Sequence, residues 1–171
     1  MVWPLLPQVY QTIRRADEIV VYEGLPHHAY EQELFEEERK VRPIVMLSDF
    51  PFYREPLAMK AEDVATLRDL IGARGTYAGI SSNVEKTCGG FHPDFAVEWS
   101  VEGKVTRCLI CFGCFEARFV DPEGARSFYD LKTERVAGKM RAKLMDLLKA
   151  YRKNRPPHER FGLHPIAMSS R

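Results

Sequence analysis

The sequence predicts an α+β fold, an antiparallel β-sheet with about three helices packed on one side, and three features carry that prediction. Residues 95–102 alternate strictly, with Phe95, Val97, Trp99 and Val101 on one face and Ala96, Glu98, Ser100 and Glu102 on the other. Gly103 marks a tight turn, so 105–120 is expected to return antiparallel to 94–101. Two stretches then space their apolar residues at the helical period. The first, 60–72, places Val64, Leu67, Leu70 and Ile71 together; the second, 133–153, aligns Val136, Met140, Leu144, Leu147, Leu148 and Tyr151.

The remaining elements follow in order. Residues 8–16 form a short helical lead-in, and β-branched 18–24 reads as a strand closing on Gly24. A helix is expected over 27–40, entered after Pro26, with Tyr30, Leu34 and Phe35 on one face. A second strand covers 42–47, and Pro51 and Pro56 keep 49–59 extended. Glu62 and Asp63 suit the start of the 60–72 helix and Gly72 its end. Residues 73–87 carry turn formers and read as a loop, while 127–131 adds a short edge strand. The organisation is one domain over 1–155 followed by a Pro-rich tail, 156–171, whose Pro156, Pro157 and Pro165 exclude a helix.

Hydrophobic residues make up 45% and charged residues 29%, the usage of a globular domain. A net charge of +1 gives no reason to expect nucleic acid or a membrane surface as partner. No apolar run reaches the roughly 20 residues of a spanning helix. From Glu134 onward ten Lys or Arg face three acids, without interleaved aromatics. With the Glu-rich 31–38 stretch as counterweight, this reads as a solvated, partly paired face. The first residues lack a basic leader and a small-residue cleavage site, so the sequence as it stands reads as cytoplasmic; an exported form stays open for a trimmed N-terminus.

Chemistry concentrates in two clusters. Cys88-Gly-Gly-Phe-His-Pro-Asp94 is a turn, with Gly89, Gly90, Pro93 and Asp94 supporting Cys88 and His92. Cys111-Phe-Gly-Cys114 has the two-residue gap that lets two thiolates share one metal. A regular strand would aim them at opposite faces, but Gly113 permits a bulge or left-handed residue that turns Cys114 onto the face of Cys111. Cys88, His92, Cys111 and Cys114 would then complete a Cys3His set suited to zinc or iron. Three other accounts stand beside it. The cysteines are simple core residues; they form a disulfide or redox pair; or Cys88, near Lys86 and His92, is an activated nucleophile. His27 and His28 read as exposed, because neighbours on a helix diverge.

The runs "VYEGLPH", "FPFYREPL", "CGGFHPDFAVEW", "LICFGCFEARF" and "LLKAYRKNRPP" resemble a group of uncharacterised bacterial proteins carrying C-G-G-F-H-P-D followed by C-F-G-C. The resemblance spans about 18–157. It implies that Cys88, Gly89, Gly90, Phe91, His92, Pro93, Asp94, Cys111, Gly113 and Cys114 belong to shared motifs, and it implies no activity. Cys108 falls outside the motif, and Phe115 stands where the pattern carries His or Gly. The expectation is a non-enzymatic domain that binds a metal or small ligand through its Cys/His cluster. The alternative is a thiol-dependent redox or transfer enzyme using Cys88 or the Cys111/Cys114 pair.

Overall fold

The alternating 95–101 stretch forms the strand on which the rest of the molecule is built. In the computed structural model, which describes residues 6–79, 89–131 and 138–155, strand order across the main sheet is β1-β5-β6-β7-β8-β4, antiparallel throughout. The strands are β1 (Glu18–Glu23), β4 (Tyr77–Ala78), β5 (Phe95–Val101), β6 (Lys104–Cys111), β7 (Glu116–Val120) and β8 (Arg126–Leu131). A separate hairpin pairs β2 (Ile44–Leu47) with β3 (Phe50–Tyr53). The helices are α1 (Leu6–Arg14), α2 (Gln32–Val41), α3 (Ala61–Ile71) and α4 (Gly138–Ala150). This is the α+β class, and among the described residues no helix is long and apolar enough to cross a membrane.

Both faces of β5 go where its alternation sends them. Phe95, Val97 and Trp99 enter the main core with Val9 and Ile13 of α1, Leu67, Leu70 and Ile71 of α3, and Leu144, Met145 and Leu148 of α4. Ala96 faces the other way, with Leu109, under Leu47 and Phe52 of the β2–β3 hairpin. Three helices therefore cover one side of the sheet and the small hairpin covers part of the other. α2 buries no residue.

The β5–β6 turn consists of Glu102 and Gly103, both at positive φ (53° and 77°), the geometry that matches strand twist in two-residue hairpins. Ser48 and Asp49 (50° and 74°) make the same turn between β2 and β3 without a glycine.

Four expectations are corrected. Residues 105–120 are not one strand; β6 ends at Cys111 and the chain turns through 112–115 into β7. The left-handed residue of that turn is Phe115 (φ 51°), not Gly113. Residues 27–31 are not helical. They make one isolated turn, in which the Glu31 N–H donates to His27 O (2.7 Å), the His27 N–H to Glu31 Oε2 (2.7 Å) and the Ala29 N–H to His27 Nδ1 (3.1 Å). β8 is not an edge strand, because β4 pairs with its outer side. Val136 and the tail 156–171 lie outside the described residues.

Candidate functional site

Gly89 (φ 68°) and Gly90 (φ 100°) make the turn expected ahead of β5, and the chain enters the sheet at Asp94. There the Asp94 N–H donates to Ile110 O (2.7 Å) and its carbonyl accepts from Gly24 N–H (2.8 Å). The approach is so close that a Cβ on Gly24 would lie 2.1 Å from Pro93 O, which explains the glycine at the end of β1.

The turn and the sheet edge divide the predicted site in two. On one side is a sulfur corner. The 112–115 turn brings Cys111 and Cys114 together, and Cys111 Sγ accepts N–H bonds from Cys114 (3.2 Å) and from His92. Cys114 Sγ lies 3.4 Å from Gly90 O, so the C-x-x-C turn does sit against the glycine turn. Cys114 is disulfide-bonded, whereas Cys111 and Cys108 are free buried thiols. The two cysteines of C-F-G-C are thus not joined to each other. Cys88 lies outside the described residues. Cys108 is a core residue on the helix-covered face, beside Tyr77.

On the other side is a polar corner built around Asp94, for which the sequence suggests only a supporting place in the turn. Its Oδ2 accepts the Phe112 N–H (2.8 Å), tying β5 to the cysteine turn. Its Oδ1 accepts from Arg152 Nη2 (3.1 Å) and Arg155 Nη1 (3.0 Å). Burial alone would raise the Asp94 pKa, but the two guanidiniums outweigh it and hold the carboxyl at about 2. Arg155 also donates to Glu31 Oε2. Glu23, fully buried at the end of β1, receives the backbone N–H groups of Lys153 (3.1 Å), Asn154 (2.8 Å) and Arg155 (3.0 Å).

Three histidines lie against this network. His92 sits 4.6 Å from the His27 ring and 5.9 Å from that of His28, and His27 stacks on His28 at 5.0 Å. His27 is buried, contrary to its reading as exposed, while His28 reaches solvent. Burial pushes the His92 pKa down to about 3, with Arg155 and the other histidines adding to the effect against Asp94. His92 is therefore neutral at physiological pH. Its backbone faces Cys111, but its ring lies tilted against those of His27 and His28. Among the described residues no group of three or more His, Cys, Asp or Glu side chains is placed to hold a metal ion.

Arg152 and Arg155 were missed because they lie in a basic stretch read as solvated. A signal was present in Glu23, one carboxylate within an otherwise apolar run, Val20-Val21-Tyr22 before it and Gly24-Leu25 after it. Such a carboxylate is either an edge residue or a buried one that needs a cation.

Two predictions arise here. Burial pushes the Cys111 thiol up from 9.0 to about 12 despite its two N–H donors, which cuts the thiolate share roughly a thousandfold. Peptide mapping after treatment of the native protein with a thiol reagent should find Cys108 and Cys111 unlabelled, and both labelled after unfolding. Fast native labelling of Cys111 would contradict its burial.

The second concerns acid. His92 is depressed from 6.5 to about 3 and Asp94 from 3.8 to about 2. For both, the unfolded chain holds the proton more tightly, so stability is full above the unfolded value and is lost as pH falls. Denaturation midpoints should drop from pH 6.5 toward 3 for His92, and further from 3.8 toward 2 for Asp94. His92→Asn should flatten the upper window. An unchanged slope in that variant would assign the loss to other groups.

Comparisons with protein-family models, with curated proteins and with solved structures find nothing that matches this chain.

Proposed function

We propose that this chain is a non-enzymatic domain that binds a small polar ligand at the corner formed by His27, His28 and His92 over the Arg152/Arg155 network. One observation carries the reading: the His27, His28 and His92 rings meet beside two buried arginines held by Asp94 and Glu31, where burial keeps His92 neutral and the guanidiniums keep Asp94 ionised. Perturbed groups cluster at functional sites more than elsewhere. Buried ion pairs such as these add little net stability over apolar packing, so stability alone does not account for them. His28 and Tyr30 give the corner an exposed side.

The test is a titration of the full chain with zinc, inorganic phosphate, small carboxylates and amino acids, following the imidazole signals of His27, His28 and His92 by NMR. Saturable shifts in all three with at least one compound support the reading. If none of the panel moves them at millimolar concentration, it falls.

A second reading, zinc or iron held by Cys88, Cys111, Cys114 and His92, is favoured by a different observation. The C-x-x-C is a turn, and two N–H groups point at Cys111 Sγ, an arrangement that stabilises a metal thiolate. It needs the Cys114 disulfide reduced and the His92 ring turned. Elemental analysis of protein prepared with reductant, showing one metal per chain, would support it. The thiol-enzyme reading is weaker, because the buried Cys111 is a poor nucleophile and Cys114 is already oxidised.

A further inference from the structure

Among the described residues, the polar corner contains more unmet donors than unmet acceptors. Arg152 Nε and Nη1 and Arg155 Nε are buried without a hydrogen-bond partner among the described residues, against one such acceptor at this corner, Glu31 Oε1. The two arginine side chains are 8% and 1% exposed. Arg152 Nε lies 3.7 Å from Glu23 Oε1, beyond hydrogen-bond length. A buried donor left unmet carries its whole desolvation cost, so a corner with three of them calls for acceptor atoms beyond those of the described residues. The orphaned atoms belong to one connected set, since Arg155 bridges Glu31 and Asp94, and Asp94 bridges Arg155 and Arg152.

Resting on the binding reading above, we infer that the ligand is a small oxyanion bearing an acidic hydroxyl, of the inorganic phosphate or phosphate monoester class. Its bare oxygens accept from Arg152 and Arg155, a planar fork suited to such groups, and its hydroxyl donates to Glu31 Oε1. The charge balance selects the protonated form. Glu23, Glu31 and Asp94 face Arg152 and Arg155, and with His92 neutral these five groups carry one net negative charge. His27 and His28 complete the surroundings. A dianion is disfavoured there: a monoester dianion has lost its hydroxyl, and the dianion of inorganic phosphate, which keeps one, brings a second negative charge. A monoanion bearing its proton meets both the donors and the single acceptor. A phosphate's second ionisation lies near pH 6, so affinity should rise as pH falls from about 8 to about 6.

The experiment is calorimetric titration of the full chain with inorganic phosphate and with sulfate, alongside NMR of the Arg152 Nε–H signal and the histidine signals. Phosphate should bind, shift the Arg152 signal and outcompete sulfate, which has no hydroxyl to donate. Arg152→Lys keeps the charge but removes the fork, and should weaken phosphate about tenfold or more with the circular dichroism spectrum unchanged. Equal binding of sulfate and phosphate, unaffected by Arg152→Lys, would mean nonspecific anion attraction and overturn the inference. Phosphate without effect on Arg152, while another compound moves the three histidines, would sink the oxyanion inference and leave the binding reading standing. If nothing in the panel moves any of these signals, both fall, and water supplies the missing acceptors.

Discussion

Replacing Arg155 with methionine is expected to cost about 3–5 kcal/mol of folding stability, measured by urea denaturation. The side chain is 1% exposed and serves two carboxylates, Asp94 through Nη1 and Glu31 through Nη2. Among the described residues its removal leaves Glu31 with the His27 N–H as donor and Asp94 with Arg152 and the Phe112 N–H. The loss therefore comes from carboxylates stranded in a dry interior, far more than from missing van der Waals contacts. Arg155→Lys separates the contributions, since it restores one charge but cannot reach both partners in one plane. It should recover part of the loss. A cost under about 1 kcal/mol for the methionine variant would show that water reaches the corner and screens the charges.

Trp99→Ala should be of similar size, about 3–5 kcal/mol, for an unrelated reason. Trp99 is 1% exposed at the middle of β5, edge-on to Phe119 at 6.4 Å. Its indole N–H donates to Thr12 Oγ1 at 3.0 Å, so the ring fastens α1 to the sheet as well as filling the core. Truncation leaves a large void between elements too well packed to close it. A loss below about 1 kcal/mol would reverse the assignment of the two faces of β5. Because the two residues share no partner, the double variant should show additive losses.

Local pattern made some of this legible and left the rest hidden. β5 and its turn could be read because a strand of period two with one buried face writes its orientation into successive residues. α3 could be read from spacing and its acidic first turn. The break after Cys111 could not, since Phe112 and Phe115 continue the apolar character of the strand and a left-handed Phe runs against propensity. The cysteine and glycine turns were brought together as expected, because β5 and β6 pair beside them. The polar corner was invisible for another reason. Asp94 meets Arg152 and Arg155 across 58 and 61 residues, and Glu23 meets Arg155 across 132, separations over which no local pattern carries information. Arg152 and Arg155 have the spacing of any exposed helical pair, so their burial is a tertiary fact.

The bond between Glu23 and the 153–155 backbone also orders events in time. During synthesis β1 emerges early, with a carboxylate whose donors lie 130–132 positions downstream. Until those residues have left the ribosome, Glu23 can stay solvated only if the end of β1 stays open. The sheet edge is therefore expected to be the last part of the domain to close, after the β5–β6 hairpin and the helices packed on it. Long loop closures slow folding in general, and here the closing contact is a charged one that penalises early burial. A nascent chain stalled before Arg152 should thus expose the β1 end to proteases, while one released past Arg155 should resist them.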